Sequence, residues 1–265
     1  MRRRRLDVEL VRRGLAGSRA EAQDAVRAGH VTVRGAPATK STTLVGADEP
    51  LVVTGPARPF VSRGGEKLAA ALDRFRIDPT DRDCLDAGAS TGGFTDCLLK
   101  RGARHVLAVD VGYGQLAWEL RADPRVTPLE RINVRELDTD SLPYRASLVT
   151  ADLSFISLRL TTGPLVRAAS READIVLLVK PQFEAGREHV GRGGVVRDPK
   201  VWRLAIEDVA EACRTAGAGP AGLMVSPVKG GAGNVEFLLH AAVGGPSEAL
   251  DVDGALGVAR DLGAA

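Results

Sequence analysis

CLDAGASTGGFTDCLLK, residues 84 to 100, decides the fold of the larger part of this chain. It opens as a short apolar strand pattern, breaks into a loop holding Gly88, Gly92 and Gly93, and resumes with the apolar spacing of a helix. A strand that runs through a glycine loop into a helix is the first unit of an α/β sheet, and such sheets bind ligands outside the carboxyl ends of their strands. Outward from it the alternation continues from residue 65 onward. Helical stretches fall near 65–76, 92–101, 115–122, 157–170 and 199–217. Strand patterns fall at 84–88 (CLDAG), 105–110 (HVLAVD), 126–130 (VTPLE), 148–152 (LVTAD), 175–180 (IVLLVK), 222–226 (GLMVS) and 235–240 (VEFLLH). This predicts a seven-stranded, mostly parallel sheet covered by helices. Only a glycine-rich loop separates the last two strands, so the final strand is expected to run antiparallel.

Charge divides the 265 residues unevenly. Residues 1–60 carry 11 Lys and Arg against 6 Asp and Glu, a net of +5, and the rest carries 25 against 28, a net of −3. A basic head on a slightly acidic body suggests that the head meets a polyanion, because Lys and Arg that neutralise phosphates release condensed counterions. The alternative for Arg2 to Arg5 is a solvated tail. Cys84, Cys97 and Cys213 have no metal-type spacing and make no disulfide framework, so reduced core thiols in a cytoplasmic protein are expected, with no metal. The longest aliphatic run, IVLLV at 175–179, falls far short of the roughly 20 residues of a membrane helix, and acids in LDVELV interrupt any signal-like apolar region.

In the head, Leu6, Leu10, Val11 and Leu15 have helical spacing, and Ser18 with Glu21 forms a capping box for a second helix carrying Ala22, Ala25 and Val26 and closed by Gly29. Strands HVTV (30–33) and LVV (51–53) follow. This unit, with RLDVELVRRGLAGSRAEAQDAVRAGHVTVRG at its start, resembles the S4 RNA-binding domain over residues 5–54, including its Ser-Arg-x-x-Ala helix start and Gly-x-Val-x-Val strand. The resemblance implies phosphate contacts from Arg3, Arg5, Arg19 and Lys40, with Arg12, Arg13 and Arg27 left solvated. The expected domains are therefore 1–54, a linker 55–62 (GPARPFVS) whose Phe60 and Val61 pack on one of its neighbours, and 63–265. Residues 185–198, AGREHVGRGGVVRD, read as a mobile basic loop able to close over a substrate, or as an insertion without a role.

The glycine loop departs from the dinucleotide fingerprint G-x-G-x-x-G. Ser90 stands where a second glycine would let the backbone approach a pyrophosphate. That favours a cofactor without phosphates, such as S-adenosyl-L-methionine, whose cationic sulfonium a carboxylate such as Asp86 would match. Asp110, 20 residues after Ser90 at the end of the second strand, suits the hydroxyls of a cofactor ribose, or else only starts a turn before Gly112. Asn133 and Asp152 are expected near the adenine and methionine ends. The full candidate set is Asp86, Gly88, Ser90, Thr91, Gly92, Gly93, Phe94, Asp110, Val111, Asn133 and Asp152.

Lys180 ends the apolar strand IVLLVK and should sit at the sheet's carboxyl edge beside Asp152. Methylating a ribose 2′-hydroxyl needs a base, and a lysine serves only when neutral, a state favoured by desolvation or by a nearby cation such as a second lysine. With Lys67 and Glu236 these residues lie in VSRGGEKL, ADLSFISL, VKPQFEAG and SPVKGGAGNVEFLLH. Together with LDAGASTGGFT, AVDVGYGQL and GGVVRDP, these motifs resemble, over nearly the whole chain, the 2′-O-ribose RNA methyltransferases of the FtsJ/RrmJ superfamily. The likeness is strongest to its TlyA branch, historically called hemolysin A. The resemblance implies a Rossmann-like class I methyltransferase fold behind a small α+β S4 head, and a Lys-Asp-Lys-Glu tetrad at Lys67, Asp152, Lys180 and Glu236. In it Lys180 is the base, Asp152 and Glu236 orient and tune it, and Lys67 holds the ribose or its phosphate. Members of the branch methylate cytidine ribose in ribosomal RNA, so ribosomal RNA or ribosomal subunits are the expected partner. A membrane-active hemolysin, an S4 protein without catalysis and a small-molecule methyltransferase are the rival readings.

Overall fold

The computed structural model describes residues 3–16, 19–54, 59–230 and 232–264. The chain divides into two compact units, Met1–Ser62 and Arg63–Ala265.

The first unit runs β1 (Arg4–Arg5), α1 (Leu6–Arg12), α2 (Arg19–Arg27), β2 (Val31–Val33), β3 (Ala36–Pro37), β4 (Leu44–Val45) and β5 (Leu51–Val53). Leu6, Leu10, Ala22, Val26, Val31 and Val45 form its core, so the apolar spacing of the two helices lies on their inner faces. Gly29, at φ 73°, takes the left-handed turn that closes α2, whereas Ser18 of the expected capping box lies outside the described residues. The solvated-tail reading is corrected at Arg4 and Arg5, which pair antiparallel with Val45 and Leu44. Arg13 is no solvated cation either. Its guanidinium donates to the carbonyls of Gly46, Ala47 and Glu49 at 2.7–3.0 Å, while both Arg12 and Arg13 bind the buried Glu9 carboxylate.

The second unit begins with α3 (Arg63–Phe75), followed by β6 (Asp83–Ala87), α4 (Gly93–Lys100), β7 (His105–Asp110), α5 (Trp118–Arg121), β8 (Val126–Glu130) and β9 (Ala146–Ala151). Then come α6 (Thr162–Ala168), β10 (Ala169–Val179), α7 (Pro181–Glu184), α8 (Pro199–Ala216), β11 (Ala218–Val225), β12 (Phe237–Val243) and α9 (Val252–Ala264). Among the described residues these strands make one seven-stranded sheet in the order β11-β12-β10-β9-β6-β7-β8. The β8-β7-β6-β9-β10 run is parallel, and β12 is antiparallel to both its neighbours, as the short final connection required. Leu85, Leu107, Val149, Ile175, Leu177 and Phe237 fill the sheet's core.

Helix α8 buries Val201, Trp202, Ala205, Ile206, Val209 and Cys213 at three- and four-residue intervals. Asp198 caps its start by accepting the Lys200 N–H at 2.9 Å, and Gly217 at φ 90° ends it. The three cysteines are free and buried, and burial pushes each thiol up to about 12. The stretch expected as one helix over 157–170 is a 3₁₀ turn, Leu158–Leu160, then α6, while Ala169 and Ser170 already belong to β10. Among the described residues no helix is long and apolar enough to cross a membrane.

The chain leaves β6 toward β7 and β8 on one side and reaches β9 and β10 on the other. Strand β6 therefore flanks a topological switch point, and its carboxyl end is where the sheet opens a crevice.

Candidate active site

A cavity of about 530 Å³ occupies that crevice, at the ends of β6, β7 and β9. Gly88, Ser90, Asp110, Val111, Asn133 and Asp152 line it. Gly88 stands at φ 81°, and a Cβ there would sit 2.5 Å from the Asp152 carbonyl oxygen, so only glycine lets the loop pass the end of β9. Asp110 bridges two backbone amides. One carboxylate oxygen accepts the Ser90 N–H at 2.8 Å and the other the Gly112 N–H at 2.6 Å, so this acid both opens a turn and faces the cavity. Asn133 accepts the Arg135 N–H at 3.1 Å and thereby caps a short 3₁₀ turn.

Five members of the expected cofactor set do not line this cavity. Asp86 is fully buried in β6, where the Thr95 hydroxyl donates to it at 2.7 Å, and burial pushes its carboxyl up to about 7. The carboxylate that reaches the cavity from this edge is Asp152 instead. Phe94 is a core residue of α4, which Gly93 opens. Gly92, at φ 98°, is required by packing, since a Cβ would collide with Leu116 and Leu120. The Thr91 carbonyl accepts the Ala117 N–H at 3.2 Å. These four shape the loop from behind.

The cavity fits the cofactor expected from the sequence. Two carboxylates line it and, among the described residues, no Lys or Arg does, which suits a cationic group without phosphates.

A second cavity of about 350 Å³ abuts the first, and Ser154 and Phe155 line both. Of the four expected reaction residues, Lys67, Lys180 and Glu236 line this second cavity, and Asp152 reaches Lys180 from the first. Because β12 is antiparallel and Phe237 pairs with Val179, the residue before β12 and the residue after β10 lie at the same edge, which brings Glu236 beside Lys180. Asp152 follows Ala151, which pairs with Leu177. Lys67 comes from α3. The Lys180 ammonium lies 2.5 Å from Asp152 and donates to the Ser154 hydroxyl at 3.0 Å, and Lys67 lies 2.5 Å from Glu236. Both lysines are 7% exposed and Glu236 is 3% exposed. Each ammonium thus has its own carboxylate, and both lysines line the one cavity.

Several residues at this site carried no sequence signal. Phe155 is 92% exposed at φ 64°, a conformation that costs a bulky side chain about 1–3 kcal/mol and that clusters at functional sites. Its ring lies 5.1 Å from that of Phe183. Glu184, buried in α7, accepts from the Ser157 hydroxyl at 2.5 Å and the Leu158 N–H at 2.8 Å. It thereby braces the segment that carries Lys180 against the one that carries Asp152. Asn234 accepts the Val196 N–H at 2.9 Å and donates to the Gly194 carbonyl at 2.8 Å, and Val196 is buried. The second half of the loop expected to be mobile is therefore tied to the start of β12.

The FtsJ-like methyltransferase family matches residues 60–243, and the S4 domain matches residues 4–49. The chain belongs to the FtsJ-like methyltransferase family. It is 54% identical over 239 residues to the 16S/23S rRNA (cytidine-2′-O)-methyltransferase TlyA of Mycobacterium tuberculosis, covering 90% of this chain and 89% of that protein. It is 38% identical to the Hemolysin A of Brachyspira hyodysenteriae, covering 89% and 98% of the two chains. A solved structure from Streptococcus thermophilus that carries a hemolysin name superposes with a TM-score of 0.80 at 37% identity, covering 99% of this chain and 97% of that one. As an FtsJ-like methyltransferase, the chain is an enzyme that uses S-adenosyl-L-methionine.

In the S4 unit of this FtsJ-like chain, the four expected phosphate contacts differ in their present partners. Arg5 forks onto Asp7 at 2.9 and 3.1 Å, and Arg19 reaches the same carboxylate at 3.4 Å. Burial would raise the Asp7 carboxyl, but hydrogen bonds from Arg5, Gln23 and Arg19 outweigh it and hold the group well below the usual carboxylate range. Arg3 pairs with Glu49 at 3.0 Å, and Lys40 is exposed.

Proposed function

We propose that this enzyme methylates the 2′-hydroxyl of cytidine ribose in ribosomal RNA, in the cytoplasm, with Lys180 as the general base. The observation that carries the reading is the junction of two cavities at Ser154 and Phe155, with Asp110 and Asp152 lining one, Lys180, Lys67 and Glu236 lining the other, and the Lys180–Asp152 pair bridging them. When bound, S-adenosyl-L-methionine supplies a methyl group on a cationic sulfur. Asp110 holds the cofactor's ribose hydroxyls, Gly88, Ser90 and Val111 form the adjoining wall, and Asn133 holds the adenine end. Asp152 would match the sulfonium and also orients Lys180. Transfer of that methyl to the acceptor hydroxyl oxygen, with the carbon–sulfur electron pair returning to the cofactor's sulfur, would leave the hydroxyl proton for a base of this chain to take. Lys180 Nζ, neutral at that moment, takes the hydroxyl proton, and Asp152 matches the ammonium formed. Lys67, fixed by Glu236, holds the ribose or its phosphate. The S4 head, residues 1–54, brings the RNA through Arg3, Arg5, Arg19 and Lys40, the linker 55–62 joins it to the body, and residues 63–265 perform the transfer. The identity to a Mycobacterium tuberculosis cytidine-2′-O-methyltransferase supports the choice of substrate.

Lys180→Ala tests the assignment in single turnover on ribosomal subunits. The expected loss is about 10² to 10⁴ in rate with cofactor and RNA binding retained. A variant within tenfold of wild type would assign the proton to another acceptor. Mapping 2′-O-methyl positions in ribosomal RNA with and without the enzyme identifies the nucleotide.

A further inference from the structure

A third cavity, of about 480 Å³, opens beside the acceptor cavity and shares Ala232 with it. Its walls come from the segment before α8, from Pro199 and Trp202 in the first turns of α8, from the segment before β12, and from α9. Three cations line it, Arg197, Lys229 and Arg260, and among the described residues no carboxylate does. Elsewhere in this unit several arginines are matched by acids, as in the pairs of Arg82 with Asp174, Arg101 with Asp73, Arg104 with Asp83 and Arg125 with Asp123. None of the three cations at this cavity has such an ion pair among the described residues. The adjacent Asp198 is occupied in capping α8.

The cavity has a firm floor. The Trp202 indole N–H donates to the Val196 carbonyl at 3.1 Å, and its ring packs at 6.2 Å from that of Phe237 in β12. The 18-residue helix α8 starts at this cavity, so its positive end adds to the field of the three side chains. Like charges gathered around one concavity repel, and an anion seated among them relieves that repulsion.

We infer that this cavity seats a backbone phosphate of the RNA strand flanking the acceptor nucleotide. The inference rests on the RNA 2′-O-methylation reading above. A strand whose ribose enters the acceptor cavity carries its neighbouring phosphates into whatever adjoins that cavity, and Ala232 is the common wall. Arg197 and Arg260 present planar forks suited to phosphate oxygens, and Lys229 acts as a point charge.

The test uses the full chain with Arg197→Gln, Lys229→Gln and Arg260→Gln, singly and together. Methyl transfer by the wild type to ribosomal subunits is measured first, and its absence would bring down the underlying reading and this inference with it. Given that activity, each substitution should lower the slope of log affinity for subunits against log salt by about one unit, leaving cofactor affinity within about twofold. Arg197→Lys, which keeps the charge, should keep the slope. Arg171→Gln, on an exposed position of β10, is the control for charge in general. The inference is overturned by an unchanged slope in the triple variant, or by an equal fall in the Arg171→Gln control. It is equally overturned if the triple variant keeps its RNA slope but loses calorimetric binding of inorganic phosphate, which would make the cavity a small-anion site.

Discussion

Replacing Asp110 by alanine should separate the proposed cofactor-binding role of this acid from its role in a turn. Its two oxygens accept the Ser90 and Gly112 amides at 2.8 and 2.6 Å, and the carboxylate also lines the cofactor cavity. Hydrogen bonds that a carboxylate makes to a ligand's hydroxyls contribute about 1.5–3 kcal/mol. At about 1.36 kcal/mol per tenfold, their loss raises the dissociation constant for S-adenosyl-L-methionine by roughly 10- to 150-fold. Alanine also leaves two amide donors without their acceptor. The Ser90 amide lies on the exposed side and can turn to water, so the added cost is about 1 kcal/mol and falls on stability more than on binding. Asparagine, which keeps one acceptor oxygen and the shape, should fall between wild type and alanine. Calorimetric titration with the cofactor reads the affinity, a urea midpoint reads the stability, and RNA affinity should hold in both variants. Normal cofactor affinity in Asp110→Ala would refute the reasoning and leave Asp110 as a turn residue only.

Other expectations follow from the same geometry. Lys67→Met or Glu236→Gln alone strands a buried charge and should cost about 3–5 kcal/mol in urea unfolding, whereas the double variant should regain most of that stability without regaining methyl transfer. Burial sets the Asp86 carboxyl at about 7 in the folded chain, above its ordinary value, so its contribution is full below that ordinary value and is lost as pH rises through about 7. The stability of Asp86→Asn relative to wild type should therefore improve between about pH 5 and pH 8 by on the order of 2 kcal/mol, and a constant difference would count against a buried titrating acid. Lys40→Glu should reduce the salt slope of RNA binding by about one unit at unchanged melting temperature, but Arg5→Glu should also lower the melting temperature, because it takes a partner from buried Asp7.

The sheet, and the meeting of the candidate residues at its edge, were legible because their signals are local and repeated. Runs such as HVLAVD and IVLLVK end in a polar residue at a strand's carboxyl end, so alternation alone set Asp110 and Lys180 at one edge, and the short glycine-rich connection set the direction of β12. Other features depend on contacts that a one-dimensional pattern does not carry. Asp86 has the residue type to face a sulfonium, yet its position in β6 turns it toward Thr95 and Thr150. Phe155 reads as one more apolar residue until its positive φ is seen. Helix α9 has glycines at 254, 257 and 263, which lower helix propensity, and it forms because Ala255, Leu256 and Ala259 pack into the core. Strands of two residues, such as β1 and β4, are too short to show a period.

Ser154 and Phe155 form a single partition between the two cavities proposed for cofactor and acceptor. A side-chain movement that fits this partition to the cofactor changes the room left for the acceptor ribose, and the reverse holds to the same degree, since linkage between two binding equilibria is reciprocal. On the proposed function, cofactor and RNA are therefore not independent guests of this enzyme: whatever factor methylated RNA exerts on the retention of spent cofactor, spent cofactor exerts on the release of the RNA.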